Sequence, residues 1–233
     1  MKARLLIMPF FFLGLRCFGQ LNTYLENGYG FYSMEDMKSL QGDYITQSRV
    51  SLKKISSFPS YFNYGIGTGY ELKSKLEIGI TYRYLSTGGR LDYSDYSGQA
   101  RIDQLLRANA IGVYTSKPVN ESTKWPLVLG INISRIYTTV DIETSLVLGN
   151  DNIDSSTVTL NGNGWGFYGS LMLQRYFTDR VFAFGKLGIE AFANKNLQVD
   201  GNDTSLKADW SGVRVALGIG FSLTPKNSTA QPK

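Results

Sequence analysis

Apolar and polar positions alternate strictly along much of the chain. In KLEIGITYRY, residues 75–84, Leu76, Ile78, Ile80, Tyr82 and Tyr84 share one parity, and Glu77, Gly79, Thr81 and Arg83 share the other. Strand side chains alternate with a period of two, so this is one two-faced strand. The last such segment, SGVRVALGIGFSL, sets Val213, Val215, Leu217, Ile219, Phe221 and Leu223 against Gly212, Arg214, Ala216, Gly218, Gly220 and Ser222. The pattern predicts strands near 21–32, 60–72, 76–87, 102–115, 126–139, 164–177, 181–193 and 209–223.

The links between them alternate in length. Lys73-Ser74-Lys75 and Thr178-Asp179-Arg180 are tight turns and 116–125 is modest, whereas 33–59, 88–101, 140–163 and 194–208 are long. That is the plan of an all-β, eight-stranded antiparallel up-and-down transmembrane barrel, with short periplasmic turns and long extracellular loops. Pairing Leu72 with Leu76 sets Tyr70 opposite Ile78, Gly65 opposite Arg83 and Tyr64 opposite Tyr84. The second tight turn sets Leu171 opposite Leu187 and Tyr168 opposite Glu190, so like faces stay together. Two long links, TTVDIETSLVLGNDNIDSSTVTL and NLQVDGNDTSLKAD, read as strand extensions around turns. SMEDMKSLQG in the first link predicts a short helix capped by Ser33, striped by Met34, Met37 and Leu40, and stopped at Gly42.

Which face is inside decides the chain's environment. Glycines crowd the polar face, and small residues there suit a narrow interior shared with a few long charged side chains. That face also carries both signs of charge: Glu71, Glu77 and Glu190 against Arg83, Arg107, Lys186 and Arg214. Basic groups facing lipid at the midplane would cost ~2–4 kcal/mol each, so these seven are expected to form a lumen network. Aromatics gather toward strand ends. Tyr64, Tyr82, Tyr84, Tyr137, Trp165 and Phe167, with Trp210, fall toward the long loops; Tyr70, Phe177 and Phe221, with Tyr114 and Tyr176, fall toward the short turns. Two lipid-facing belts are the expectation. Arg135 has apolar parity and must snorkel near headgroups. Ile111 and Val113 follow the parity of Arg107, and Phe182 and Phe184 that of Lys186, so those two strands fit the scheme least well.

Composition adds a leader. MKARLLIMPFFFLGLRCFGQ has Lys2 and Arg4, an apolar run to about Leu15, then Cys17 and Gly19 ahead of a cut before Gln20. Residues 1–19 are therefore predicted to be a secretory signal peptide. A lipoprotein cut at Cys17 is the rival, opposed by Arg16. Cleavage before Gln20 removes three of the five net positive charges and the one cysteine. No basic stripe remains, so nucleic acid is not an expected partner. The barrel is assigned 20–223, and 224–233 a disordered tail.

With 13% aromatic residues, 25 glycines and six prolines, the 233-residue composition suits a β-rich domain. The chain has no histidine, which removes the commonest acid–base group and the usual serine and cysteine catalytic arrangements. Carboxylates such as Asp151 and Asp154, or Asp200 and Asp203, read as turn residues. No enzyme, cofactor or metal site is expected.

Signal, two-faced strands and alternating links together resemble the small outer-membrane β-barrels of the OmpA/OmpX kind, or a related porin-family barrel. The SMEDMKSLQ, YSDYSGQ and DWSG stretches add to the resemblance. It implies a cell outer-membrane location, lipid and lipopolysaccharide as surroundings, and the barrel-assembly machinery as a biogenesis partner. Such barrels end on an aromatic; Phe221 holds that parity, and SLTPKNSTAQPK follows it. The leading functional expectation is a non-enzymatic barrel closed by its charged side chains, with outer loops for surface interaction. A narrow channel for small polar solutes and a secreted lipocalin-like carrier are the alternatives.

Overall fold

The computed structural model describes residues 20–223, except 121, 123, 124, 149 and 150. The predicted signal segment with Cys17, the 224–233 tail and the tip of the GNDN turn lie outside the described residues. The chain forms β1 (Gln20–Tyr32), α1 (Glu35–Gln47), β2 (Lys53–Ser57), β3 (Tyr61–Glu71), β4 (Glu77–Ser94), β5 (Gly98–Pro118), β6 (Leu127–Leu148), β7 (Asp151–Tyr176), β8 (Val181–Asn194), β9 (Gln198–Val199), β10 (Asn202–Asp203) and β11 (Gly212–Ser222). Eight of the strands close an antiparallel ring, β1-β3-β4-β5-β6-β7-β8-β11 and back to β1. Closure leaves no free edge in that part of the molecule.

The predicted registers hold. Tyr70 faces Ile78, Gly65 faces Arg83 and Tyr64 faces Tyr84; Leu171 faces Leu187 and Tyr168 faces Glu190. The side chains of Ile78, Ile80, Leu217 and Ile219 stand exposed on the outside, while Arg83 and Arg214 are buried within. The oily face is thus the exterior. The two loop extensions are also strands: β6 and β7 run to 22 and 26 residues. β9 and β10 join through Asp200 and Gly201, both at positive φ as a tight hairpin turn needs.

Three expectations need correction. The helix does not stop at Gly42 and is not capped by the Ser33 side chain. Its N-cap is Met34 at φ 50°, without a side-chain cap bond. The entry is fixed by backbone instead: Ser33 N–H donates to Ser211 O, and Met34 N–H to Asp209 O. Gly42 sits on the exposed side and is tolerated in the helix interior because buried Met37 and Gln41 anchor the opposite face.

The second correction concerns β5, whose faces are the reverse of the expected ones. Leu106, Ala108, Ala110 and Tyr114 are buried inside, and Arg107, Ile111 and Val113 point outward. The reason lies in the lumen's outer half, which is apolar. There Tyr32, Met34, Met37, Phe58, Leu106, Ile136, Leu197 and Trp210 form one buried cluster. Outside this half the wall is polar, with Arg107 paired to Asp141, and inside it is apolar; nearer the short turns the two environments exchange. A strand crossing both levels reverses its binary code with no bulge.

The third correction follows from the second. Trp210 is fully buried, and its indole N–H donates to Thr138 Oγ1 at 2.9 Å. Tyr114 and Tyr176 also point inward, against Glu77 and Phe182 respectively. None of these three belongs to an outer aromatic belt.

Above the ring the wall continues on one side. β2 pairs with the outer part of β4, so β2-β4-β5-β6-β7 makes an open sheet whose inner side receives α1. At its tip, Ser97 and Tyr93 hydroxyls donate to Asp95 and hold its carboxyl down at about 2.

Candidate functional site

The lumen is built in layers. Its central layer has Glu190 on β8, buried and shared by two guanidiniums. Arg83 on β4 reaches it at 3.0 Å, and Arg214 on β11 makes an ion contact with its other oxygen. Arg83 also donates to Asn132 Oδ1 and Ser134 Oγ at 3.4 and 3.3 Å. Beside this trio, Lys186 pairs with Glu26 of β1. Tyr168 lies among the three cations, its ring centroid 4.8 Å from Arg83, 5.6 Å from Arg214 and 5.7 Å from Lys186. Five charges of opposite sign within a low-dielectric barrel hold one another by ion pairing and by the ring's negative face.

Toward the short turns the chemistry changes. Glu77 is held by neutral donors. It accepts from Asn22 Nδ2 at 2.7 Å and from the Tyr114 hydroxyl. Glu71 has inward parity at the mouth, opposite Glu77 in register. Phe182 and Phe184 are buried across the same end, with Tyr24 edge-on to Phe184 at 5.8 Å. Between these layers a cavity of about 50 Å³ remains, lined by Tyr24, Glu26, Arg83, Tyr114, Tyr168 and Lys186. That admits a few waters rather than an organic ligand.

Of the seven expected lumen charges, the structure brings Arg83, Lys186, Glu190 and Arg214 into one cluster. Glu71 and Glu77 lie inside but below it. Arg107 is outside: it pairs with Asp141 on the outer face of the wall, because β5 has its polar side outward at that level. Glu26 was missed, although Leu25, Tyr29 and Phe31 on the other parity already set it inside. The inner glycines make room chiefly for rings. A Cβ at Gly188 would lie 2.4 Å from Tyr168, and one at Gly67 2.3 Å from Tyr24.

The aromatic residues Tyr64, Tyr137, Trp165, Phe167, Phe177 and Phe221 are outward and exposed; Tyr70, Tyr82 and Tyr84 are outward and half-buried. Tyr64 stacks on Tyr84 with centroids 4.9 Å apart. No metal-binding group of histidine, cysteine or carboxylate side chains occurs among the described residues.

A closed ring, an apolar exterior and a polar waist inside decide the architecture. The fold is that of a small outer-membrane β-barrel. No family model matches the chain, and no curated protein matches its sequence. Among solved structures, it is similar to neisserial surface protein A (NspA), at 14% identity and a TM-score of 0.48, over 86% of this chain and 96% of that one. It is also similar to Ail of Yersinia pestis, solved with the heparin analogue sucrose octasulfate, at 9% identity and a TM-score of 0.46, over 88% and 99%. The outer membrane protein OprG from Pseudomonas aeruginosa aligns at 13% identity and a TM-score of 0.44, over 88% and 96%.

Proposed function

We propose that the chain is a non-enzymatic barrel of the cell outer membrane, closed along its axis, that acts through the sheet it raises above its outer rim. It is exported with cleavage of the 1–19 leader, folded by the barrel-assembly machinery, and surrounded by lipid and lipopolysaccharide. The observation that carries the reading is double closure. The Glu190 layer and the apolar cluster around α1 block the lumen one above the other, leaving about 50 Å³ between the ionic layer and the lower aromatics.

The raised sheet supports the interaction role. From Asp151 to Leu160, β7 pairs with β6 alone among the described strands, and Ile153 to Thr159 are exposed on both faces. An extended segment of an extracellular partner can add to such an edge, taking its backbone hydrogen bonds. The exterior argues against a soluble carrier, which would keep its oily side within.

Planar-bilayer recording on purified protein tests the reading. Electrical silence is expected from the wild type. A steady conductance that changes in Arg83→Ala or Arg214→Ala would overturn it in favour of a narrow channel for polar solutes. Recovery of the chain in the aqueous fraction without detergent would instead favour the carrier.

A further inference from the structure

The outer surface along β6 and β7 carries a cation on an indole at both ends, the lower indole coming from the link that leads into β6. Near the long loops, Arg135 of β6 shares outward parity with exposed Ile131, Ile133 and Tyr137. Its guanidinium stands 5.2 Å over the Trp165 ring and donates to Asn163 Oδ1. Near the short turns, Arg175 of β7 shares outward parity with exposed Leu171 and Leu173 and stands 4.8 Å over Trp125. Neither guanidinium has a carboxylate within ion-pair distance among the described residues, unlike Arg107 on Asp141 or Arg90 and Arg101 on Asp103.

The spacing of the two pairs matches a bilayer. From Trp165 to Arg175 along β7 is about 33 Å of strand at ~3.3 Å per residue. At a strand tilt of ~45° that is roughly 23 Å along the axis, close to the ~25 Å apolar band of such barrels. The outward residues between them on β7 are Phe167, Gly169, Leu171 and Leu173, without a charge. At Gly169 an added Cβ would meet nothing within 4 Å, so the oily wall has a dent below the upper pair. A guanidinium held over an indole face spends none of its five N–H donors on the ring, so most stay available to a further acceptor. At a lipid–water boundary the matching anion is a phosphate, which accepts the fork bidentately.

We propose that the β6–β7 hairpin is a two-ended lipid anchor. Arg135, with Trp165 and Asn163, takes the phosphate of an outer-leaflet lipid whose chain descends past Gly169; Arg175, with Trp125, takes that of an inner-leaflet lipid. This rests on the outer-membrane placement above. Phosphate-bearing amphiphiles are the ligand class, and the two sites set the depth at which the barrel rides.

Native mass spectrometry of the detergent-folded chain with phosphatidic acid is the test, alongside a galactosyl diacylglycerol of the same chain length as phosphate-free probe. The wild type should retain two phosphatidic acid molecules. R135Q and R175Q should each lose one, weakening that site about tenfold or more. R107Q should keep both, and R135K should recover part of the affinity, having the charge without the planar fork. Retention of two phosphatidic acid molecules by R135Q and R175Q, as in the wild type, or binding of the galactolipid as tight as that of phosphatidic acid, overturns the anchor. Displacement of the lipid by inorganic phosphate alone overturns the lipid assignment. A wild-type chain that stays soluble without detergent overturns the placement and the anchor together, a result none of the other arms produces.

Discussion

At Glu190 one carboxylate answers two guanidiniums, so the residues of this layer are not interchangeable. Glu190→Gln leaves Arg83 and Arg214 buried without their counter-charge. Removing one partner of a buried ion pair costs ~3–5 kcal/mol, and here two pairs go at once, so the upper end is expected. Arg214→Met leaves the 3.0 Å Arg83–Glu190 contact whole and should cost well below that. Urea unfolding in lipid vesicles orders the two variants; the reverse order would show that Arg214, not Glu190, organises the layer. Much of this layer was legible in advance. The tight-turn register already set Tyr168 opposite Glu190, and parity alone put Arg83, Lys186 and Arg214 inside. The role of the inner glycines was not, because a glycine records that space is needed without recording which side chain uses it. Tyr168 over Gly188 and Tyr24 over Gly67 are rings arriving from neighbouring strands.

Among the elements, α1 departs most from what its residues suggest. Its first turn carries Glu35 and Asp36, and Asp36 accepts the Lys207 backbone N–H at 3.0 Å. Its hold on the barrel is nevertheless apolar: Met34 and Met37 are fully buried in the outer cluster. Met37→Ala should cost ~2–5 kcal/mol of that packing. The loss should appear as faster hydrogen exchange across Glu35–Gln47, with β3 and β11 below the cluster unchanged. Uniformly faster exchange would mean that plug and ring are one cooperative unit. The Met34–Met37–Leu40 stripe disclosed the helix, but not its length, since Gln41 is held by Ser56 O at 3.1 Å from another element. β5 was misread for a related reason. Alternation reports a contrast between two faces, and Arg107 and Ile111 share a face whose surroundings change along the strand.

For the whole molecule, the side chains that would form a core in water form the coat. Leu217 is 71% exposed on the exterior of β11. Leu217→Arg should cost ~2–4 kcal/mol if that position lies near the bilayer centre. Ser155→Arg on the raised wall should stay within ~0.5 kcal/mol, as at an ordinary aqueous surface. Vesicle unfolding of both variants gives the comparison, and equal small effects would remove the lipid from the account.

The wall's height is one-sided. β7 has 26 residues where β11 has 11, and it climbs roughly 30 Å past Trp165 at ~3.3 Å per residue and ~45° tilt. A molecule so shaped has a heading as well as a depth. Turning about its own axis swings the crest through a circle while the opposite flank stays low. Two neighbours in a crowded envelope therefore meet crest to flank, crest to crest or flank to flank, and each encounter offers a different chemistry.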